Sequence, residues 1–479
     1  MAEPVLGFNA QARHACIPRR SGTAYSSIRW PPIDHPFFDR TAEYQMTEAV
    51  KLRARDYHRR PIRFVNAALR GAQSLGMARF PINADALMDE ARRETGLDDF
   101  GDERFIEPLR LLVKSTNEEA QLNPIGRYLA RANIQRLLRG RLHAQALWQK
   151  HPEILQREMP DPVVVVGMAR SGTTRLHRLL AADDRFLHLK SWESVYPVPE
   201  AASFAARERG DTDPRITTLD QALKAVLYMS PQIAAVHPLG TMEVEEEIGL
   251  LQHAFSTQLF EVINELPSFA EWLMTHDQKF AYEYMVDLLK LVSWFRGDPE
   301  DKPWVLKSPQ HLQDLDALLH VFPNAKLVCP HRDPVKVIGS TCSMAWTSLV
   351  RDNDNIDPHA VGRTWLDKAE RMLHKNLAER AQLCAPQNQY DVLYADITAD
   401  WHSAMQGVYQ FLDLPFSHQA EQGMREWLDL NNQHKHGAHK YSLASFGLTR
   451  EEVADRLRFY SDRFAIPPET SNPHLTARP

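Results

Sequence analysis

The sequence of 479 residues predicts an α/β fold, a parallel sheet flanked by helices, with a helical extension on its N-terminal side. Short apolar segments, the first beginning at Val163, are rich in β-branched residues, as buried parallel strands are. Helical patterns alternate with these segments, and this alternation is typical of a parallel sheet covered on both faces. From about Thr41 to about Pro152 the patterns are helical, and they indicate a separate extension.

The chain divides at a connector that ends in Met159-Pro-Asp-Pro162. Residues 1–155 are expected to form an N-terminal arm, irregular over residues 1–40, and a helical extension. Residues 156–479 are expected to form the α/β domain, which holds the clear strand patterns. Strands are predicted at 163–166, 185–189, 304–306, 325–329 and 390–394.

Helix boundaries are predicted most sharply in the extension. The pattern over 84–95 begins after Asn83, a suitable N-cap, and ends before Gly96, whose backbone freedom suits a C-terminal cap. A longer helix is predicted at about 126–150. Further helices are predicted at 312–321 and 365–384.

Composition limits the classes of partner. The chain is 43% hydrophobic and 25% charged, with a net charge of −6, so it has no basic excess for binding nucleic acid. No apolar stretch approaches the ~20 residues of a spanning helix, and no secretory signal is recognisable. The four cysteines form no C-x-x-C pair and are expected to be reduced thiols. We therefore expect a cytoplasmic protein without a membrane span.

The segment after the first predicted strand has the spacing of a phosphate-binding loop. Gly167 and Gly172 are separated by four residues, as in a P-loop, and a helix pattern follows. Backbone N–H groups at such a strand-to-helix turn bind phosphate. Thr173 occupies the position of the lysine that reaches a nucleoside triphosphate, whereas Arg170 brings a cation from within the loop. The sequence therefore predicts a P-loop-like anion site.

A second anion site is predicted after the strand at 325–329. Arg332 follows that strand, at the sheet edge where open α/β sheets bind ligands. Asp333-Pro334 suggests a turn that opens a helix, and Ser340 lies two turns into it. The guanidinium of Arg332 and the hydroxyl of Ser340 are a suitable pair for a second phosphate. A surface Arg-Asp turn without a ligand is the alternative.

In this order, the motifs resemble those of sulfotransferases that use 3′-phosphoadenosine 5′-phosphosulfate (PAPS). The loop 167–174 resembles the family's 5′-phosphosulfate loop, and Arg332 with Ser340 resembles its 3′-phosphate pair. Similarity extends to Trp304-Val-Leu-Lys-Ser-Pro-Gln-His311, to Val392-Leu-Tyr394-Ala-Asp396 and to Phe411-Leu-Asp-Leu-Pro415. The N-terminal helices resemble the extension of the family's bacterial branch.

The resemblance implies PAPS as cosubstrate, a P-loop-related fold and a set of binding residues. The expected donor-binding residues are Arg170, Ser171, Gly172, Thr173, Thr174, Arg332, Ser340, Tyr394 and Lys440. The sequence departs from the family at Arg175, where an aromatic is usual, and at Ala395, where Glu is usual. The C-terminal glycine-rich loop is absent in form, and residues 434–441 with Lys440 are its expected substitute.

Sulfuryl transfer is an in-line displacement in which positioning and electrostatics dominate. Arg170 is expected to stabilise the charge that grows on the leaving phosphate, and Lys307 to hold the sulfonate oxygens. No metal is expected, although His434, His436 and His439 form a short histidine tract.

A general base must accept the proton of the acceptor hydroxyl. Glu193, which follows the short strand at 185–189, is the first choice, by similarity to the glutamate base of the tyrosylprotein branch. A structural salt bridge is its alternative role. Glu245, in the acidic run 243–247, and His237 are the competing candidates.

Two other functions stay open at this level: a small-molecule kinase on the same loop scaffold, and a nucleotide-binding protein without catalysis. The acceptor is expected to be a small molecule, a sugar or a lipid with a hydroxyl or amine. The irregular N-terminal arm makes a homo-oligomer a further expectation.

Overall fold

Helices make up most of the regular structure in residues 51–236, 239–431 and 442–469, which the computed structural model describes. The helices before the sheet are α1 (Arg60–Ser74), α2 (Ala84–Thr95), α3 (Ile106–Glu118), α4 (Pro124–Lys150) and α5 (Glu153–Gln156). The later helices are α6 (Thr173–Leu180), α7 (Ser191–Val195), α8 (Ala201–Arg209), α9 (Pro214–Met229), α10 (Ile233–Val236), α11 (Ile248–Leu251), α12 (Leu259–Ile263), α13 (Pro267–Thr275), α14 (Lys279–Arg296), α15 (Leu315–Val321), α16 (Pro334–Asp352), α17 (Pro358–Leu383), α18 (Tyr394–Ala399), α19 (Trp401–Phe411), α20 (His418–Leu430), α21 (Arg450–Arg456) and α22 (Arg458–Arg463). Short 3-10 helices lie at Ala54–Asp56, Glu103–Phe105, Gln252–Ala254, Pro309–Leu312, Pro386–Asn388 and Leu443–Phe446.

Four parallel strands form the central sheet, in the order β4–β1–β5–β6. The strands are β1 (Val163–Val165), β2 (Leu189–Lys190), β3 (Val244–Glu245), β4 (Val305–Lys307), β5 (Lys326–His331) and β6 (Gln389–Leu393). Val164 of β1 is in register with Leu306 on one side and Leu327 on the other. Because the four strands run in one direction, their carboxyl ends share one edge of the sheet.

The run of valines at 163–166 is buried because helices cover both faces of the sheet. Val164 and Val166 belong to the larger core cluster, whereas Val163 and Val165 pack with the leucines of α6 on the opposite face. Alternate residues of a strand point to opposite faces, so a strand buried on both faces must be apolar at every position. This is the physical reason for the unbroken valine run.

The helical extension packs against a later part of the chain. Buried side chains of α2, α3 and α4 form one cluster with apolar residues between Phe255 and Leu273. At the start of α2, the Asn83 side chain accepts a hydrogen bond from the Ala86 N–H, and Gly96 closes the helix with φ of 69°. The caps predicted for this helix are therefore present.

The structure confirms the predicted fold class. It differs at 185–189, where the predicted strand is reduced to a single parallel bridge between Leu187 and Trp304. The chain then pairs as β2 with β3 in a small antiparallel sheet. Several predicted helices begin elsewhere, for example α17, whose cap is Asp357. The domain boundary near residue 155 stays a prediction.

Among the described residues, none of the helices has the length and apolarity needed to cross a membrane. The thiols of Cys329, Cys342 and Cys384 are buried and unpaired. Burial raises the pKa of Cys329 and of Cys342 to about 12, so both behave as core side chains.

Candidate functional site at the carboxyl edge of the sheet

The loop between β1 and α6 has a strained backbone. Arg170 has φ of 72° and Gly172 has φ of 100°, and the first of these is unusual for a residue with a side chain. Such strain persists only where surrounding contacts impose it, and it is common at functional sites. The buried Ser171 hydroxyl donates to the Met168 carbonyl at 2.7 Å.

Ser171 holds the loop closed through its own two donors, and its role as a donor ligand stays a prediction. Its backbone N–H also bonds to the Met168 carbonyl, at 3.2 Å, so both donors of Ser171 close the loop. The N–H groups that an α-helix leaves unpaired in its first turn lie just beyond, where α6 begins at Thr173.

Gly172 is required by the ring of Tyr394, which follows β6. A Cβ atom on Gly172 would lie 2.5 Å from a ring carbon of Tyr394, and the φ of Gly172 disfavours other residues in any case. The Arg332 guanidinium lies over the same ring, with its Cζ atom 4.1 Å from the centroid. Tyr394 thus joins the loop to Arg332 by direct packing.

The two predicted anion sites adjoin each other. Arg332 follows β5, and its Nη1 donates to the Arg170 carbonyl at 3.1 Å. The Nε of Arg170 donates to the Ser340 hydroxyl at 2.9 Å. Ser340 is presented by α16, which begins at Pro334 and is capped by the Asp333 carboxylate on the Val335 N–H. Three separate segments therefore bring these side chains to one place on the sheet edge.

Glu469, close to the C-terminus, also lies at this place, although no pattern in the sequence predicts it. Its carboxylate accepts from Arg332 Nε at 2.7 Å and from Arg332 Nη2 at 2.9 Å. Its own N–H donates to Asp333 at 2.7 Å. The separation of 137 residues from Arg332 leaves no local signal by which this ion pair can be predicted.

Lys307 ends β4 on the other side of the loop. Lys307 is 2% exposed as a whole residue. Its Nζ donates to the Thr174 hydroxyl at 3.4 Å and forms an ion pair with Glu246. The ammonium thus touches both the start of α6 and the acidic run 243–247. Glu246 was not singled out from the sequence, because nothing local distinguishes it from its acidic neighbours.

A buried polar chain fixes the backbone of Lys307. The Lys307 N–H donates to Glu247 at 3.0 Å, Glu247 pairs with the His311 ring, and Tyr282 bonds to the other ring nitrogen at 2.8 Å. Burial acts to raise the pKa of Glu247, but His311 and the Lys307 N–H outweigh it and hold the pKa below its usual range. Glu247 is therefore an ionised support below the site, and it lacks the exposure of an acceptor-side base.

Glu193 occupies a position that does not suit a general base. It is 2% exposed, and its carboxylate accepts from Arg296 Nε at 2.7 Å, from a second nitrogen of Arg296 and from the Lys190 N–H. A carboxylate that is buried and engaged in this way holds α7 against α14. The structure therefore favours the salt-bridge role over the base role first assigned to Glu193.

The other candidates for the general base are Glu245 and His237. One oxygen of Glu245 lies 3.5 Å from the Ser191 hydroxyl, and the other accepts from the Glu246 N–H at 2.9 Å. His237, Lys440 and the histidine tract at 434–439 lie outside the described residues. Within the ranges 51–236, 239–431 and 442–469, no group of three or more His, Cys, Asp or Glu is arranged to hold a metal ion.

These features define an α/β protein with a P-loop-like strand-to-helix loop at the edge of a parallel sheet. The chain belongs to the sulfotransferase family, whose sequence model matches residues 162–418, more than half of its length. It is therefore a sulfotransferase, and family membership favours sulfuryl transfer over the kinase alternative.

Individual relatives agree with this assignment. The chain is 26% identical over 346 residues to omega-hydroxy-beta-dihydromenaquinone-9 sulfotransferase Stf3 of Mycobacterium tuberculosis, covering 68% of this chain and 83% of the relative. The crystal structure of sulfotransferase STF1 from Mycobacterium tuberculosis matches at 31% identity with a TM-score of 0.68, over 79% of this chain and 99% of that one. STF9 from Mycobacterium avium matches at 28% identity with a TM-score of 0.70, over 81% and 98%.

Proposed function

We propose that this sulfotransferase moves the sulfuryl group of PAPS to a hydroxyl or amine of its acceptor. The observation that carries the donor proposal is the bond from Arg332 to the Arg170 carbonyl at 3.1 Å, because it unites two cationic sites on one edge. PAPS carries anionic groups on the 3′ and 5′ oxygens of one ribose, and it needs two adjoining sites of this kind. A nucleotide with phosphates on the 5′ oxygen alone has no use for the second.

Each end of the donor has suitable partners. The start of α6, with Thr173, Thr174 and the Arg170 side chain, is proposed to bind the 5′-phosphosulfate. Arg332 and Ser340 are proposed to bind the 3′-phosphate, with Tyr394 beside them. Lys440 stays a predicted donor ligand.

The reaction breaks the bond between sulfur and the bridging phosphate oxygen and forms a bond between sulfur and the acceptor oxygen or nitrogen. Negative charge grows on the leaving phosphate, and Arg170 with the first turn of α6 is proposed to stabilise it. Lys307 is proposed to hold the sulfonate, because its Nζ already contacts the Thr174 hydroxyl. Movement of Lys307 onto the sulfonate exchanges one anionic partner for another, so its charge stays paired throughout.

Glu246 is the carboxylate that we propose as general base. It pairs with the same Lys307 Nζ that contacts the Thr174 hydroxyl at the start of α6, so it adjoins the proposed position of the sulfonate. Transfer of Lys307 to the sulfonate would leave Glu246 able to accept the acceptor proton. Glu193, bound by Arg296, has no comparable route to the acceptor.

The acceptor class is proposed as a hydroxylated lipid, with sugars and other small molecules as alternatives. Support comes from the relative Stf3, whose name gives a hydroxylated menaquinone derivative as its acceptor. The cytoplasmic location and the homo-oligomer stay predictions.

A ligand screen tests the donor. Thermal unfolding of the full chain is measured with 3′,5′-bisphosphoadenosine, ATP and ADP at equal concentrations. Binding at 100 times Kd stabilises the folded state by about 2.7 kcal/mol, so a clear rise in Tm is expected with the bisphosphate alone. An equal rise with ATP, or no rise with the bisphosphate, would contradict the donor proposal. Arg332→Ala is expected to reduce the rise, and the surface variant Arg93→Ala serves as its matched control.

A further inference from the structure

Helix α1 packs on the protein through a mixed side that contains Asn66 and the half-buried Ile62 and Leu69. Of its 15 residues only Asn66 is buried, and the Asn66 side chain accepts a hydrogen bond from the Ile125 N–H at 3.0 Å. Arg70 pairs with Asp354 at 2.5 Å. Phe64, in contrast, is 74% exposed. A surface helix normally turns its apolar stripe toward the core, so this orientation needs a physical reason.

The exposed apolar side continues past the end of the helix. Pro61, Phe64, Val65 and Ala68 are exposed at the spacing of one helical side. Leu75 and Met77, in the turn that follows, are 75% and 57% exposed. Large apolar side chains grouped in this way mark a surface that another phase or molecule covers. We call the exposed apolar residues of 61–77 the α1 face.

The segment that carries the α1 face has a strongly positive composition. Residues 51–80 contain eight Lys and Arg against one Asp, a net charge of +7, although the whole chain has −6 and the remainder therefore −13. Arg60 and Arg63 are exposed on the same helix as Phe64. The positive charge is thus concentrated in the segment that also exposes apolar side chains.

From this combination we infer that the α1 face docks the enzyme on the headgroup layer of an anionic lipid bilayer. A short amphipathic helix with aromatic and aliphatic side chains on one side and arginines beside them lies in the plane of such an interface. Its apolar side chains enter the acyl boundary, and its arginines meet the anionic headgroups. The polar contacts of Asn66 and Arg70 keep the helix attached to the protein in this orientation.

Charge complementarity favours a bilayer over a second copy of the chain. Two copies meeting through this face would bring two segments of +7 together, and like charges repel at such distances. An anionic bilayer surface, in contrast, attracts this positively charged segment. The inference is independent of donor and acceptor, because vesicle binding needs no turnover.

Co-sedimentation with vesicles tests the inference on the full chain. Binding to vesicles of phosphatidylcholine with phosphatidylserine is expected to be at least tenfold tighter than binding to phosphatidylcholine alone, and to weaken as salt rises. The paired change Phe64→Ser and Leu75→Ser, and separately Arg60→Gln with Arg63→Gln, are each expected to lower binding tenfold or more. Matched controls are Leu383→Ser, at a side chain 50% exposed on α17, and Arg93→Gln on α2; both should bind as the unaltered protein does.

Several results would overturn the inference. These are equal binding to neutral and anionic vesicles, binding to neither, and binding that survives both paired changes. Light scattering on the same proteins measures their oligomeric state. A dimer that Phe64→Ser dissociates would assign the α1 face to a second copy of the chain. The salt dependence of the unaltered protein keeps the test valid even if a variant folds poorly.

Discussion

The two ends of the proposed donor site each carry a cation paired with a carboxylate, but the two pairs differ in burial. At one end, the side chains of Lys307 and Glu246 are 3% and 13% exposed. At the other, those of Arg332 and Glu469 are 22% and 31% exposed. The buried pair joins the sheet to the acidic run, whereas the more exposed pair joins the sheet to a segment near the C-terminus.

This difference in burial indicates which of the two ion pairs a ligand can replace with a small loss of free energy. Removing one partner of a buried ion pair leaves an uncompensated charge and costs about 3–5 kcal/mol. An ion pair near the surface contributes about 0–1 kcal/mol. We therefore expect the 3′-phosphate to replace Glu469 with little loss, whereas Lys307 can leave Glu246 only for another strong anion. We call the end with Lys307 and Glu246 the chemical end of the site. The end with Arg332 and Glu469 is the binding end.

Lys307→Met should have the largest effect, because it removes the cation proposed for the sulfonate and breaks its buried ion pair with Glu246. Turnover is expected to fall by about 10²–10³-fold, the usual loss of one electrostatic stabiliser. The measurement is kcat with saturating donor. Lys224→Met, at an exposed lysine paired with Asp220, is the matched control and should leave kcat unchanged. Near-normal turnover in Lys307→Met would remove the chemical role of this end.

Glu246→Gln should come next, with kcat reduced by about 10²-fold if Glu246 is the base. Glu245→Gln, at the neighbouring residue of the same run, is expected to retain most of the rate. Glu193→Gln is expected to lower Tm and to keep kcat in the folded fraction, because it weakens the pair with Arg296. A loss of kcat in Glu193→Gln at unchanged Tm would return the base to Glu193.

Arg332→Ala tests the binding end. Charge-assisted hydrogen bonds contribute about 1.5–3 kcal/mol, so KM for the donor should rise by about tenfold or more while kcat changes less. Steady-state kinetics with varied PAPS gives both constants. A fall in kcat with unchanged KM would show that the two ends are not separable in the way their burial indicates.

Glu469→Gln should have the smallest effect and the opposite sign. Because it weakens the competitor of the 3′-phosphate, Kd for 3′,5′-bisphosphoadenosine should fall by up to about fivefold, the worth of an exposed ion pair. Calorimetric titration measures the change, and Glu452→Gln, at an exposed glutamate of α21, is the control. Weaker binding in Glu469→Gln would mean that Glu469 supports Arg332 and does not compete for it.

Sequence patterns predicted the helices and strands that are specified by residues close together in the chain. The valine run predicted β1, the Asn83 and Gly96 caps predicted both ends of α2, and Asp333-Pro334 predicted the start of α16. The strand at 185–189 was predicted less well, because its residues pair with distant segments and β2 turns to β3. Glu246 and Glu469 could not be selected from the sequence, since their cations lie 61 and 137 residues away.

Sequence alone determined the parallel sheet, the phosphate loop and the residue types at its edge, because backbone propensity, glycine spacing and apolar periodicity act over a few residues. The tertiary structure determined which carboxylate forms an ion pair with which cation. It joined Arg332 to the loop, paired Glu193 with Arg296 and left Phe64 and Val65 of α1 exposed. Charge pairing and burial depend on distances between segments far apart in the chain, and only the packed molecule sets those distances.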